Sequence, residues 1–157
     1  MKTHKTNAVR ILEANNIPHT IVTYEVNEAD LSGITVANKI GIDAERVFKT
    51  LLTRGDKSGI NVFCIPVTEE LDLKKAAIAS GNKKIEMIKE KELLPLTGYI
   101  KGGCSPIGMK KKYPTYLDET AQLFDEIYAS AGVRGMQVKL KPDDLLKITA
   151  GQSKELI

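Results

Sequence analysis

The segment VFKTLLTRGDKSGINVFCIPV, residues 47–67, holds two runs of apolar, β-branched and aromatic residues on either side of a polar loop. Residues 47–53 and 60–67 have the composition of strands, and residues 54–59 supply the glycines, aspartate and serine that favour a chain reversal. The segment therefore predicts an antiparallel β-hairpin, and we expect the rest of the fold to be organised around it.

Lys49 is the charged residue of the first strand. The two-residue repeat of a strand places it on the same face as Val47 and Leu51, and both faces are largely apolar. A lysine in such a strand either extends its ammonium group to the sheet edge or meets an anion in a cleft. The strand alone leaves both interpretations open.

Helices and further short strands are predicted on both sides of the hairpin. Helices are predicted over residues 6–14, 35–40, 72–80 and 89–96 and from Pro142, with one helical turn capped by Asp43, and strands over 19–26, 99–100, 115–118, 126–130 and 136–140. Several strands follow one another directly, which does not match a doubly wound parallel sheet. We expect an α+β (or α/β) fold with a mixed, barrel-like sheet and flanking helices.

Length and composition limit the number of domains, the cellular location and the cofactors that can be expected. The 157 residues, 42% of them hydrophobic, are enough for one core, so we expect a single domain over residues 1–157. No apolar run approaches the roughly 20 residues that span a bilayer, and Met1–Lys5 do not lead into a signal sequence, so a cytoplasmic location is expected. Two cysteines and two histidines form no metal-ligand spacing, so neither metal nor cofactor is expected.

Residues 102–108, GGCSPIG, form a loop with three glycines and a proline, and Lys110–Lys112 follow it. Glycine permits close approach of the backbone to a ligand, and successive free N–H groups attract anions or carbonyl oxygens. The loop predicts a binding site for a ligand with a carbonyl and phosphates. A simple glycine turn between strands is the alternative.

Four segments occur in a characteristic order: residues 48–52 (FKTLL), 71–77 (LDLKKAA), 97–108 (TGYIKGGCSPIG) and 127–135 (IYASAGVRG). Together they resemble the YbaK family of freestanding aminoacyl-tRNA deacylases, and the resemblance extends from about Ala8 to Leu146. It implies a trans-editing enzyme that removes cysteine mischarged onto tRNA(Pro), and possibly cysteine from tRNA(Cys), built as a mixed-strand barrel with flanking helices.

The mechanism implied by the resemblance uses the thiol of the substrate cysteine, which attacks its own ester carbonyl and leaves as a cyclic thiolactone. The residues agree with this, because a protein nucleophile needs a base and a group that orients the base. His4 and His19 belong to no triad pattern, and Ser105 before Pro106 is not a nucleophile elbow. We expect an enzyme that positions its substrate and does not activate a nucleophile of its own.

Site residues also follow from the resemblance. Lys49 corresponds to the functional lysine that holds the charged 3′ end, and the N–H groups of Gly102 and Gly103 are placed to bond the ester carbonyl. Tyr24 is expected to stack on the terminal adenosine, or to be an ordinary strand aromatic. The remaining substrate-binding residues are Thr50, which alternation turns away from Lys49, together with Cys104, Ser105 and Ser130.

Lysines are expected to receive the acceptor stem of the tRNA. The triplet Lys110, Lys111 and Lys112 is the strongest candidate because it adjoins the glycine loop, whereas the pairs at 74–75 and 83–84 fit solvated faces equally well. The partners implied are aminoacylated tRNA and prolyl-tRNA synthetase, with no membrane.

The chain departs from the family pattern at Ser32, which replaces a pocket aromatic, at Cys104, which replaces an aliphatic residue, and at Ala131, which replaces a glycine. These changes leave the amino-acid preference open, because one methylene changes discrimination by only about 1–3 kcal/mol. Two other functions remain: a deacylase that uses an activated water on alanyl or other small esters, and a tRNA-binding module without turnover.

Overall fold

The structure, a computed structural model, describes residues 5–157. Eight strands and five α-helices make up this part of the chain. In chain order they are α1 (Asn7–Ala14), β1 (Thr20–Thr23), α2 (Gly33–Ile40), β2 (Phe48–Gly55), β3 (Gly59–Pro66), α3 (Leu73–Ser80), β4 (Ile85–Met87), α4 (Leu93–Thr97), β5 (Thr115–Asp118), β6 (Ile127–Ser130), β7 (Met136–Leu140), α5 (Pro142–Thr149) and β8 (Gln152–Lys154).

The predicted hairpin is confirmed. Strands β2 and β3 pair antiparallel in register from Phe48 opposite Pro66 to Gly55 opposite Gly59. The loop is shorter than expected, three residues in place of six, and Gly59 closes it at a φ of +70°. The positive φ explains why glycine stands there, since a Cβ is strained in that conformation.

The strands form two sheets. One has five strands in the order β4-β2-β3-β5-β8, antiparallel around β2 and parallel across β3-β5-β8, and the other is an antiparallel sheet in the order β1-β7-β6. A single parallel bridge between Val47 and Tyr128 joins them. The α+β class is therefore confirmed, but the expected single barrel-like sheet is corrected: residues 5–157 contain two sheets and no closed barrel.

The outer edge of β2 is only partly covered. Strand β4 pairs with it at Thr53–Gly55, and β6 touches it at Val47, so no strand pairs with the stretch between them. Val67 donates its N–H to the carbonyl of Val47, which means that odd-numbered residues of β2 bond toward β3 and even-numbered ones point outward. The backbone of Thr50 thus faces a gap between β6 and β4.

Three apolar clusters hold the elements in place. Helix α1 and both sheets share the largest cluster, which includes Leu12 and Leu52, and α3 covers the other face of the hairpin around Phe63. In the third cluster Ala37 of α2 packs beside Val47 and Tyr128, where the two sheets meet. This packing sets the start of α2 beside the gap in the β2 edge.

Local sequence signals explain most helix ends. Asp72 accepts hydrogen bonds from the N–H groups of Lys74 and Lys75 in the first turn of α3, and Gly81 ends that helix at a φ of +72°. The helical turn predicted after Asp43 is confirmed as a short 3₁₀ turn, Ala44–Arg46, with Asp43 at its N-cap, but the Asp43 side chain makes no capping bond. The strand predicted at residues 99–100 is wrong, because the Tyr99 hydroxyl ties this segment to the carbonyl of Ile107 within the glycine loop. Within residues 5–157 no helix is long and apolar enough to cross a bilayer.

Candidate functional site

A cavity of about 340 Å³ opens at the gap in the β2 edge. Four parts of the chain line it: β2, the start of α2, the glycine loop, and the adjacent strands β6 and β7. A neighbouring depression of about 200 Å³ continues toward β4 and shares the wall made by Thr50, Cys104 and Gly102. The cavity therefore lies where the hairpin, the glycine loop and the smaller sheet converge.

Lys49 lines this cavity and is partly buried. None of the ion pairs among residues 5–157 involves Lys49, and no carboxylate of that range lines the cavity. The cavity wall is therefore cationic without an internal counter-charge, which suits an anionic ligand. Lys49 thus lines a cleft, and its contact with an anion there stays a prediction.

The glycine loop forms the opposite wall, through Gly102 and Cys104. Gly102 has a φ of +83°, and neither its N–H nor that of Cys104 is hydrogen-bonded within the described part of the chain. The N–H of Gly103 instead donates to the carbonyl of Ile100 at 2.9 Å. This corrects the expectation that both glycines offer N–H groups to a ligand, because the Gly103 N–H already has a partner and, of the pair, only the Gly102 N–H is unbonded within residues 5–157.

Gly103 has a packing role. A Cβ at this position would lie 3.0–3.1 Å from backbone atoms of Val133 and Arg134, so the loop fits closely against the turn after β6. The Arg134 Nε donates to the carbonyl of Lys101 at 2.8 Å, and its guanidinium pairs with Glu28 at 2.7 Å. Together these contacts fix the position of Gly102.

Cys104 is partly buried in the cavity wall, and this burial raises the pKa of its thiol to about 12. The same cause raises the pKa of the core residue Cys64 to about 12. A thiol attacks as its thiolate, and the raised pKa disfavours the thiolate form of both cysteines at neutral pH. Cys104 thus fills the cavity wall and is not an activated nucleophile.

The structure brings some of the other predicted substrate residues to the cavity. Thr50 and Ser130 line it, and the Ser130 Oγ accepts a hydrogen bond from the N–H of Gly132, which leaves its hydrogen free to donate. Tyr24 lies in an adjoining small depression that shares Leu31 and Gly102 with the cavity.

Ser105 does not reach the cavity. Its side chain is fully buried, and its Oγ accepts a hydrogen bond from the N–H of Ile107, which stabilises the turn at Pro106. His4 lies outside the described residues, and His19 is close to the carbonyl of Ile17, away from the cavity lining. Among residues 5–157 no group of three or more His, Cys, Asp or Glu residues is placed to bind a metal.

The lysine triplet lies on the other side of the glycine loop. Lys111 and Lys112 line a separate cleft of about 430 Å³ between α1, α5 and residues 106–113, and Lys147 of α5 joins them. Lys110 turns away from this cleft and packs its carbon chain against Gly98. The triplet therefore does not act as one unit.

Two positions that depart from the family pattern are now located. Ser32 lines the cavity and accepts the N–H of Thr35 as the cap of α2, whereas Ala131 is fully buried in the main core. Among the polar and charged side chains of the cavity, sequence reasoning missed Lys101 at the mouth and Gln137 on β7. Lys101 adjoins the glycine run and could have been found from that position, but Gln137 is an isolated polar residue in a strand.

Fold and site together define a class of protein. Residues 5–157 form an α+β domain with a cavity that is lined by two lysines and no carboxylate, and with a glycine-loop N–H that has no partner in this range, an arrangement that suits the positioning of a ligand. A family model described as "Aminoacyl-tRNA editing domain" matches residues 31–148. The chain belongs to this family, as its resemblance to YbaK proteins predicts.

Individual relatives agree with the family. A protein of Enterococcus faecalis (strain ATCC 700802 / V583) named "Putative Cys-tRNA(Pro)/Cys-tRNA(Cys) deacylase EbsC" is 52% identical over 152 residues, 97% of this chain and 93% of that protein. The crystal structure of a "putative trans-editing enzyme for prolyl tRNA synthetase" matches with a TM-score of 0.81 and 25% identity over 98% of both chains. The hypothetical protein APE2540 has a TM-score of 0.87 at 16% identity, covering 96% of this chain and 99% of that one, and shows the shared fold alone.

Proposed function

We propose that this protein is a trans-editing deacylase that releases cysteine from tRNA(Pro) and from tRNA(Cys). The observation that carries the proposal is the placement of Lys49 and the open N–H of Gly102 in one cavity that contains no activated nucleophile. The E. faecalis relative, 52% identical over nearly the whole chain, carries this activity in its name.

In the proposed reaction the nucleophile comes from the substrate. The cysteine sulfur forms a bond to its own ester carbonyl carbon, the bond from that carbon to the 3′ oxygen breaks, and the thiol proton ends on the 3′ oxygen. The products are a cyclic thiolactone and free tRNA. A free thiol, with a pKa of about 8.5, is a few per cent thiolate at neutral pH, so its orientation is the main task left to the protein.

The chain's residues serve this orientation. We assign the Lys49 ammonium to the phosphate of the terminal nucleotide and the Gly102 N–H to the carbonyl oxygen as negative charge develops on it. We assign Thr50, Ser130 and the side chain of Cys104, which line the cavity, to the amino-acid pocket, and Tyr24, in the adjoining depression, to stacking on the terminal adenosine. Gly103 and Ser105 act through the shape of the loop.

The substrate class is tested by comparing release of tRNA from Cys-tRNA(Pro), Ala-tRNA(Pro) and Ser-tRNA(Pro) by the wild-type protein. We expect rapid release from the cysteinyl ester alone, because only its side chain supplies a thiol. Preference for the alanyl ester would contradict the thiol mechanism and indicate a deacylase with an activated water. No turnover on any ester, with tRNA still bound, would indicate a binding module.

The cleft on the other side of the glycine loop is our proposed path for the acceptor stem. Its three lysines, Lys111, Lys112 and Lys147, take part in no ion pair among the described residues, and no carboxylate of that range lines the cleft. A cationic cleft beside the loop that receives the 3′ end suits the sugar–phosphate backbone of the same tRNA.

Replacing Lys111 and Lys112 together by alanine should weaken tRNA binding. It should also make the binding constant depend less steeply on salt concentration. Each lost phosphate contact reduces the slope of log K against log[salt] by about 0.9. The measurement is the dissociation constant of tRNA(Pro) across a KCl series. The matched control is the alanine pair at Lys83 and Lys84, which are exposed beside β4. Equal losses of slope in both double variants would contradict the assignment.

The whole of residues 1–157 is proposed to act as one editing domain. Helix α1 lies outside the family match, yet Val9 and Leu12 are fully buried in the main core, and β8 pairs with β5. Prolyl-tRNA synthetase is the proposed partner because it produces the mischarged tRNA. Translation places both in the cytoplasm, which is the proposed location.

A further inference from the structure

Gln137 is a buried polar residue whose hydrogen-bonding groups are unused. It is 5% exposed, its Oε1 is buried without a partner, and no hydrogen bond to its carboxamide is formed among residues 5–157. Asn61 also has a buried unpaired oxygen, but its amide nitrogen donates to Ser58 and Gly59 in the hairpin loop. Gln137 is different because neither the oxygen nor the nitrogen of its amide bonds another residue of this range.

The position of Gln137 indicates what its amide serves. It lines the same cavity as Lys49, but it belongs to the smaller sheet. There Gln137 of β7 lies directly opposite Ser130 of the paired strand β6. A buried amide that leaves its hydrogen bonds unmade is costly, and an apolar residue of equal size would avoid the cost. A ligand that enters the cavity and hydrogen-bonds the amide would remove this free-energy cost.

We propose that Gln137 is a specificity-determining residue whose amide oxygen accepts a hydrogen bond from the α-ammonium group of the aminoacyl ester. This inference rests on the proposed function. Three groups of that ester can donate: the ammonium, the ribose 2′-hydroxyl and the thiol. The ammonium is the strongest donor because it is charged, and it is repelled by the Lys49 side of the cavity.

The geometry of the amide suits this contact. Rotation about the last side-chain bond exchanges oxygen and nitrogen without moving the rest of the side chain, so the oxygen can turn toward the ammonium when a substrate enters. The Ser130 Oγ, on the neighbouring strand, is close enough to the same wall to share the ammonium protons. The two residues together would select aminoacyl esters over esters without an amino group.

The test compares two esters of the same tRNA(Pro) that differ only in the ammonium: the cysteinyl ester and its desamino analogue, the 3-mercaptopropionyl ester. Both keep the thiol and the carbonyl. The wild-type protein, Gln137→Met and Gln137→Glu are measured on each ester by kcat/KM for tRNA release. Methionine keeps the length and shape of the side chain but not its hydrogen bonds.

We expect Gln137→Met to lower kcat/KM for the cysteinyl ester by about tenfold to a hundredfold, the worth of a hydrogen bond to a charged group, and to leave the desamino ester unchanged. Gln137→Glu should raise the ratio of cysteinyl to desamino turnover above the wild-type ratio, because a carboxylate holds an ammonium more strongly. This second variant decides the question if Gln137→Met does not fold.

Equal losses on both esters, or no loss on either, would overturn the inference, because Gln137 would then be structural or would contact another group. A Gln137→Glu ratio at or below the wild-type ratio would overturn it as well. If the wild-type protein releases tRNA from no ester, the proposed function fails, and the inference about Gln137 fails with it.

Discussion

Replacing Lys49 by alanine is expected to lower kcat/KM for tRNA release from Cys-tRNA(Pro) by about a hundredfold, which corresponds to roughly 2.7 kcal/mol of lost transition-state stabilisation. The reason is that its ammonium is the partly buried charge of the cavity and has no carboxylate partner within residues 5–157. A hydrogen bond to a charged group contributes about 1.5–3 kcal/mol, and more where water is excluded. Single-turnover release assays measure the effect.

The control for Lys49 is Lys101→Ala, which removes an exposed lysine from the mouth of the same cavity. A solvated charge contributes at most about 1 kcal/mol, so this variant should lose less than about tenfold. The free energy of unfolding of Lys49→Ala should stay within about 1 kcal/mol of wild type, because the side chain has no internal partner. Equal losses in the two variants would show that the cavity needs only general positive charge.

A second large effect is expected from Gly103→Ala. The added Cβ would lie 3.0–3.1 Å from backbone atoms of Val133 and Arg134, which are not free to move aside, so the loop must shift by a few tenths of an ångström. That shift misplaces the Gly102 N–H, and loss of one such donor costs about a hundredfold to a thousandfold in kcat. Release assays at saturating Cys-tRNA(Pro) give this kcat.

Measurements of the free energy of unfolding distinguish a displaced glycine loop from a general loss of stability. Crowding in Gly103→Ala should lower the free energy of unfolding by about 1–3 kcal/mol. Gly59→Ala should cost about 1–2 kcal/mol through its positive φ, because nothing lies within 4 Å of the new Cβ, yet it should keep full activity. If the kcat of Gly103→Ala equals the kcat of Gly59→Ala, the prediction is contradicted, because the reaction would then tolerate a displaced glycine loop.

Much of the fold could be predicted because its signals are local. The hairpin, the Asp72 cap and the helix that begins at Pro142 all follow from short patterns of apolar, turn and capping residues. The three-residue strands β4 and β8 carry no such pattern. They form because β2 and β5 each have an unpaired edge with which β4 and β8 can form hydrogen bonds. The division into two sheets also depends on long-range packing around Val47.

The site was predictable where a residue type implies its chemistry. Lys49 and the glycine loop were found because a lysine in an apolar strand and a glycine run are both unusual. Which glycine N–H stays free depends on the turn from Ile100, a tertiary detail. Gln137 was missed because a polar residue in an alternating strand normally faces solvent, and only the fold shows that this one is buried.

The protonated thiol of Cys104 has a consequence for inhibition. Electrophilic compounds that inactivate serine and cysteine enzymes need an activated nucleophile to trap, and a thiol whose pKa burial raises to about 12 does not supply one. In the proposed reaction the reacting sulfur belongs to the substrate, so every turnover also carries it away. We therefore expect inhibitors of the proposed reaction to work by occupancy, as stable copies of an aminoacyl adenosine that lack the thiol, and we expect thiol-directed reagents to react slowly with Cys104.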